Sequence, residues 1–407
     1  MNKVNKINNP LSDEVSHQYE KWVYPEPILD LPAWLENNWQ WFDPSHASRM
    51  IWPNQDYKPD LDILIAGCGT NQAAVYAYTN PEAKVVAMDV SQSSLDHHQF
   101  LKKKYGLKNL EIHLLPIEEV NVLNRDFDLI VSTGVLHHLA NPQLGLNALA
   151  KCLRQDGVIA LMLYAKYGRI GVEILQSVFH DLGLSQESTP VHIIRDALEV
   201  LPQDHPVRSY LAIAPDLKFD AGVVDTFLHI REQSYSINEC IELVSAAGLV
   251  FQDLFLKSPY YPPHSALGEF CSFVRTLPES QQWSIMERIN FRNACHFFTA
   301  CREDRPKEKY KIDFTSEEIF NLVPSLRFRC TLEGSKLSRH NWSCTLNPQE
   351  KEILQRVDGL LSIAEILKQA SNSPVIKGQN QTDLRRFGKA LFQKLWQLDF
   401  LAMGLKP

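Results

Sequence analysis

Two glycines and a carboxylate stand at a spacing that can hold a nucleoside. Asp62-Ile-Leu-Ile-Ala-Gly67-Cys68-Gly69-Thr reads as a buried apolar strand running into a tight glycine turn. Val85-Val-Ala-Met-Asp89 reads as the next strand, ending in a carboxylate. Gly69 and Asp89 lie 20 residues apart, the spacing expected when one βαβ unit carries a nucleoside-bearing cofactor. Glycine at 67 and 69 lets the backbone approach a ligand with no Cβ in the way. A carboxylate at 89 can accept hydrogen bonds from both ribose hydroxyls. A dinucleotide turn wants a third glycine at position 72, which is Gln.

Other residues able to do chemistry fall into three groups. His137 and His138 follow the apolar run Phe127-Asp-Leu-Ile-Val-Ser-Thr133-Gly134, and Tyr164 ends a later run. Open α/β sheets gather ligands at the C-terminal ends of their strands, so these residues qualify as general bases or acceptor contacts, with plain packing as the other reading. Asp225, His229, Arg231 and Tyr235 interrupt an apolar stretch, as the directed groups of a pocket wall do. The alternative is a helix cap at Asp225 and a surface salt-bridge cluster at His229 and Arg231. Tyr19 and Tyr24 belong to an aromatic arm that either closes the pocket or packs onto the domain. His113 and the Cys68 thiol read as structural.

The elements that must position these groups alternate. Strands are expected at 62–66, 84–88, 110–115, 127–132 and 157–164, with helices near 71–78, 91–105 and 142–154. Near-continuous apolar strands between helices argue for a parallel sheet covered on both faces. The rhythm stops over about 166–235, a mostly helical insertion broken by Pro190, Pro202 and Pro206. It resumes with a capping box at Ser236-Ile-Asn-Glu239, a strand at 249–256, a helix near 279–290 and a strand at 296–301. The charged run 302–309 reads as a linker. Beyond it come short strand-like pieces, notably 326–332, and helices at 347–357, 363–370 and 382–398.

Composition bounds the partners. The 407 residues allow two or three domains. A net charge of −7 gives no electrostatic case for nucleic acid. No apolar run reaches the ~18 residues that a bilayer requires, and the first ten residues lack the apolar core of a signal peptide. Eight scattered cysteines without a CxxC pair argue against a disulfide framework or a zinc site, so no metal is expected and a reduced, cytoplasmic location is.

Taken together, Gly-Cys-Gly-Thr, Asp89, the Phe127–Leu139 stretch and Leu153-Arg-Gln-Asp-Gly-Val-Ile-Ala-Leu161 resemble the class I S-adenosylmethionine-dependent methyltransferases. The late strand pair resembles that family's reversed hairpin at the sheet edge. The resemblance implies an α/β fold: a Rossmann-like, seven-stranded mixed sheet over 59–305, with the insertion as an acceptor lid and 1–58 as an aromatic arm or cap. It implies S-adenosyl-L-methionine as cofactor, S-adenosyl-L-homocysteine as product, and methyl transfer to nitrogen or oxygen of a peptide, protein or small metabolite. Gly67, Cys68 and Gly69 would pass under the methionine part, Asp89 would bind the ribose, and Val90, Ile117 and Glu118 would meet the adenine. Thr133 and Gly134 would face the sulfonium carbon. His138, His229, Asp225 and Tyr164 are the candidate catalytic groups; Tyr19, Tyr24, Arg231 and Tyr235 are the candidate acceptor contacts. The chain departs from the family pattern at Asn71, where a third glycine is usual, and at Pro116, where an aspartate often stands. These departures are the support for the alternative, a non-catalytic cofactor-binding or partner-recognition protein.

Residues 310–407 resemble small winged-helix modules of peptide-modifying pathways and of some bacterial protein-lysine methyltransferases, through the helix, Asp358-Gly359 turn and Ser362-Ile-Ala-Glu365 start. That module would serve as a scaffold, a homodimer interface or a peptide-docking edge. DNA binding is disfavoured by the few cations of its last helix.

Overall fold

The computed structural model describes residues 10–186, 191–264, 268–290, 292–340 and 342–405. Pro190 and the first nine residues, invoked above, lie outside them. The chain divides into two compact units. One holds the described residues up to Gln40, Pro59–Phe251 and Trp283–Asp304; the other holds Trp41–Lys58, Gln252–Gln282 and the residues from Arg305 onward. The first 58 residues are thus shared between the two.

Seven strands build the main sheet: β1 (Asp62–Ala66), β2 (Lys84–Asp89), β3 (Leu110–Leu114), β4 (Phe127–Thr133), β5 (Leu153–Tyr164), β6 (Leu249–Leu254) and β7 (Cys295–Arg302). Their order is β3-β2-β1-β4-β5-β7-β6. The first five are parallel. β7 runs antiparallel to β5, from Val158 opposite Cys301 to Tyr164 opposite Cys295. The chain leaves β1 toward β2 and β3, then returns to place β4 on the other flank. That reversal opens a crevice at the C-terminal ends of β1 and β4.

Local chemistry explains the elements. Ile63 to Ala66 are fully buried, as a strand covered on both faces requires. Helix Gln92–Tyr105 starts where the Ser91 side chain accepts from the Ser94 N–H and ends at Gly106, whose φ of 65° suits glycine. Helix Pro142–Lys151 has Asn141 as its cap and proline at its first position. The capping box at Ser236 and Glu239 is present.

Several boundaries differ from expectation: the helix expected at 347–357 is Pro348–Leu354, and the strand expected at 249–256 ends at Leu254. Helix 142–154 stops at Lys151, and β5 begins at Leu153 rather than 157, because Leu153 pairs with Phe127 before the register shifts to Leu129 opposite Val158. The piece 326–332 is not one strand. It is the end of one strand, a turn containing Arg329 at φ 61°, and the start of another.

The insertion is helical, as expected, with helices Ile170–Asp181, Val191–Val200, Val207–Leu211 and Asp220–Phe227. It has its own apolar core, including Val172, Phe179, Ile194, Val223 and Phe227.

In the second unit β8 (Val323–Leu326) pairs antiparallel with the last strand of the chain, Leu401–Gly404. Strands Cys330–Glu333, Lys336–Arg339 and Trp342–Thr345 form a three-stranded antiparallel sheet. Helices Pro348–Leu354 and Ile363–Ala370 both open on capping boxes, and a long helix, Gln381–Gln397, follows. Among the described residues no helix is long and apolar enough to cross a membrane.

Candidate functional site

A cavity of about 590 Å³ lies at the C-terminal ends of the parallel strands, and the described N-terminal segment helps to wall it. Gly67, Cys68, Gly69, Asp89, Val90, Ile117, Glu118, Thr133 and Gly134, the nine residues expected to hold a cofactor, all line it. Gly67 and Gly69 take φ of 78° and 51°, a left-handed conformation that favours glycine. The glycines are also required by the chain's own packing. A Cβ on Gly67 would lie 2.4 Å from Val135 Cγ2, and one on Gly69 would lie 2.8 Å from Pro25 Cδ.

Asp89 is set by that turn. Its Oδ2 accepts the Gly69 N–H at 2.8 Å and its Oδ1 accepts the Ser91 N–H at 3.0 Å. Each oxygen keeps a lone pair for a ribose hydroxyl. Burial raises its carboxyl above the usual range, and the two N–H donors oppose that. Glu118 Oε2 is buried with no hydrogen-bond partner among the described residues, and burial raises its carboxyl too. Such an orphan suits the amino edge of a nucleobase. The positive-φ turn, the Asp89 carboxylate and this acceptor fit a nucleoside cofactor.

The other half of the cavity is lined by Tyr19, Tyr24, His138, Tyr164, Asp225 and Arg231. His138 closes the short turn Leu136–His138 just after β4 and Gly134. Its Nδ1 lies 2.9 Å from the Arg231 carbonyl. A carbonyl only accepts, so Nδ1 carries the hydrogen and the neutral ring has its lone pair on Nε2. That Nε2 is buried without a partner among the described residues. Burial pushes the His138 pKa down to about 4, so the ring is neutral and its lone pair free at physiological pH.

His229 is not a lining residue but stacks on His138 with ring centroids 3.8 Å apart. Its Nδ1 accepts the Arg231 N–H at 3.1 Å, which leaves the hydrogen on Nε2. That nitrogen faces Tyr19 Oη at 3.3 Å, and Tyr19 Oη donates to Asp225 Oδ1 at 2.9 Å. Asp225 is 3% exposed, and burial lifts its pKa to about 7. Burial, then the Asp225 charge, raises the Tyr19 phenol well above its usual value. His138, Asp225 and His229 each offer a donor atom within 4.8 Å of the others. With its hydrogen on Nε2, His229 turns a proton rather than a lone pair toward that cluster, which opposes a cation there.

The acceptor half draws on distant parts of the chain. Arg231 pairs with Asp13 at 2.9 Å, and the Tyr24 hydroxyl donates to Asp216 at 3.0 Å. Tyr235 is not brought to the cavity. Its backbone bridges to the end of β5, its N–H donates to the Tyr164 carbonyl at 2.8 Å, and its ring is buried elsewhere. Asp225 lies within helix Asp220–Phe227 rather than capping one.

Sequence reasoning missed Gln72 and Asp13, which also line the cavity. Gln72 Nε2 donates to Thr133 Oγ1 at 2.9 Å. Its place at the third-glycine position was the available signal. Asp13 had none, since its partner Arg231 is 218 residues away. Asn71, the other departure from the pattern, donates its amide to the Glu26 carbonyl at 3.4 Å, and Thr70 Oγ1 donates to the Pro25 carbonyl at 2.7 Å.

A family model described as a methyltransferase domain matches residues 64–159, the segment from β1 into β5 that carries the glycine turn, Asp89 and His138. The chain carries a methyltransferase domain. Such a domain supports S-adenosylmethionine as the methyl donor expected from the glycine turn and Asp89. Over 252 residues the chain is 30% identical to an uncharacterized protein of Synechococcus sp., covering 59% of each. Over 151 residues it is 28% identical to a tRNA U34 carboxymethyltransferase of Saccharophagus degradans, covering 36% of this chain and 44% of that one. The chain thus spans less than two thirds of these relatives' length. Among solved structures, PKMT2 from Rickettsia typhi matches with a TM-score of 0.66 and 16% identity, over 94% of this chain and 77% of that one. Its complex with AdoHcy matches with a TM-score of 0.63, also at 16% identity, over 90% and 76%. At that identity the likeness is one of fold, and it runs well beyond the methyltransferase domain.

Proposed function

We infer that the whole chain transfers a methyl group to a nitrogen or oxygen nucleophile of a peptide, protein or small metabolite, with His138 accepting the proton. The observation that carries this reading is the unpartnered Nε2 lone pair of His138, held by its Nδ1–H bond to the Arg231 carbonyl in a cavity shared with the glycine turn and Asp89. When bound, the cofactor supplies an electrophilic sulfonium methyl. The protein's part is to align the acceptor and take its proton, so orientation supplies much of the rate and the base adds about 10²–10⁴-fold.

Charge narrows the acceptor. Arg231 is paired with Asp13, and Arg169 with Glu232 at 2.8 Å, so neither is free for an anion. Among the described residues neither Asp225 nor Glu118 forms an ion pair, and burial raises both carboxyls. A neutral or cationic acceptor is therefore favoured over a carboxylate, which supports a peptide or protein nitrogen. Residues 310–407, read as a winged-helix-like module, would dock such an acceptor along an edge strand.

The test is to incubate the protein with methyl-labelled S-adenosylmethionine and separate peptide, protein and metabolite pools, then find the label by mass spectrometry. His138→Gln is expected to lose about 100-fold or more in turnover while binding S-adenosylhomocysteine normally in calorimetry. Undiminished turnover in that variant would overturn the role given to His138.

A further inference from the structure

Tyr164 is held in a way that its role as an acceptor contact does not by itself explain. The ring is covered on both faces. The Arg169 guanidinium carbon lies 3.7 Å from its centroid, and the His137 ring stacks on it at 3.8 Å with 27° between planes. Two groups that close to one centroid cannot share a face. Tyr164 nevertheless lines the cavity, so what it presents there is its edge and hydroxyl. Among the described residues that hydroxyl has no hydrogen-bond partner.

Neither clamp group touches the cavity, and both are costly to bury. Arg169 is 0% exposed. It donates from Nη2 to Glu232 Oε1 at 2.8 Å and from Nη1 to Tyr210 Oη at 3.0 Å, while its Nε is unpartnered. His137 is 1% exposed with both ring nitrogens unpartnered. Leaving such groups unsatisfied forfeits their hydration with nothing in return. An apolar residue would fill either place without that cost. The Arg169 cation over the ring also opposes the burial that raises the Tyr164 phenol.

We propose that Arg169 and His137 are positioning residues that clamp Tyr164 so that its hydroxyl meets the acceptor nucleophile and points that nucleophile's lone pair toward the transferable methyl. The proposal rests on the methyl-transfer reading above. It assigns the hydroxyl a hydrogen bond with the acceptor's N–H or O–H. It gives Arg169 and His137 no contact with either reactant.

The test labels the full chain with 3-fluorotyrosine and follows the Tyr164 line by ¹⁹F NMR, assigned by its loss in Tyr164→Phe. The variants are His137→Leu and Arg169→Met combined with Glu232→Gln, the pairing chosen so that no carboxylate is stranded. In each, the Tyr164 line is expected to move and kcat to fall about tenfold or more, with KM and S-adenosylhomocysteine affinity held within about threefold. Arg169→Lys, which keeps the cation, should recover most of the lost turnover. An unmoved Tyr164 line in both variants, an unchanged kcat, or a loss of cofactor affinity that matches the loss of kcat would overturn the proposal. If the wild-type chain transferred no methyl group at all, the methyl-transfer reading would fail, and the NMR line would still report whether the clamp exists.

Discussion

Asp225 offers the most direct check on the electrostatics of the acceptor half, through Asp225→Asn. The amide keeps the shape and can still accept from Tyr19 Oη, but it cannot ionise. In the native chain the Asp225 pKa is about 7, against an ordinary aspartate value of about 3.9 in the unfolded chain. The cause is burial, which outweighs the Tyr19 hydrogen bond and the Arg169 charge that both favour the ionised form. Below about pH 4 both states hold the proton, and ionisation costs the fold nothing. Between about pH 4 and 7 the unfolded chain releases the proton while the native chain keeps it. Stability therefore falls as pH rises through that window, by up to about 4 kcal/mol, since each pH unit is worth about 1.4 kcal/mol. The asparagine variant lacks this loss. Its stability relative to wild type should climb across the window and level off above pH 7. At about 2–4 °C per kcal/mol for a unit of this size, the Tm gap between pH 4 and pH 8 should change by roughly 10 °C. Differential scanning calorimetry across pH 4–8 reads it, following the transition of the methyltransferase unit. A gap that stays constant with pH would mean that Asp225 ionises normally, and the account of a carboxylate poised by burial would fall.

Other perturbations test the remaining parts. If Asp89 holds the ribose as proposed, Asp89→Ala removes two charge-assisted hydrogen bonds worth about 1.5 kcal/mol each or more, so calorimetry should show S-adenosylhomocysteine binding weakened by about 100-fold or more. Gly67→Ala drives a Cβ to 2.4 Å from Val135 Cγ2 at a φ of 78°. It should lower Tm and weaken cofactor binding, and Val135→Ala in the same chain should recover part of the Tm loss but not the strain. Tyr19→Phe removes the donor to Asp225 Oδ1. It should push the Asp225 pKa higher still, seen as the stability loss extending to higher pH in the same calorimetric series.

Much of the sheet was legible because its information is local. Near-continuous apolar runs and the Ser236/Glu239 box each act within a few residues. The donor half of the site was legible for the same reason. A strand, a glycine turn and the next strand tip span fewer than 30 residues, and their geometry follows from one βαβ unit. Boundaries were lost where long-range pairing overrode local pattern, as when Phe127 drew Leu153 into β5.

The acceptor half is a different matter. Residue types in the insertion marked Asp225 and His229 as candidate catalytic groups and Arg231 and Tyr235 as candidate acceptor contacts, and nothing in their spacing showed which of them reach the cavity. Tertiary structure chose among them. The Arg231 backbone, through its carbonyl and its N–H, sets the tautomers of His138, 93 residues away, and of the neighbouring His229. Tyr19, 206 residues from Asp225, completes the hydrogen-bond chain. Tyr235 turns away because its backbone is bound to the end of β5. By itself the sequence determined the kind of fold and the glycine turn and Asp89 that line one half of the cavity, because those depend on periodicity and on what a backbone can do at glycine. Which side chains line the rest of the cavity, and which nitrogen of His138 is left without a partner among the described residues, depend on contacts between segments 93 to 218 residues apart. Only the folded chain decides those.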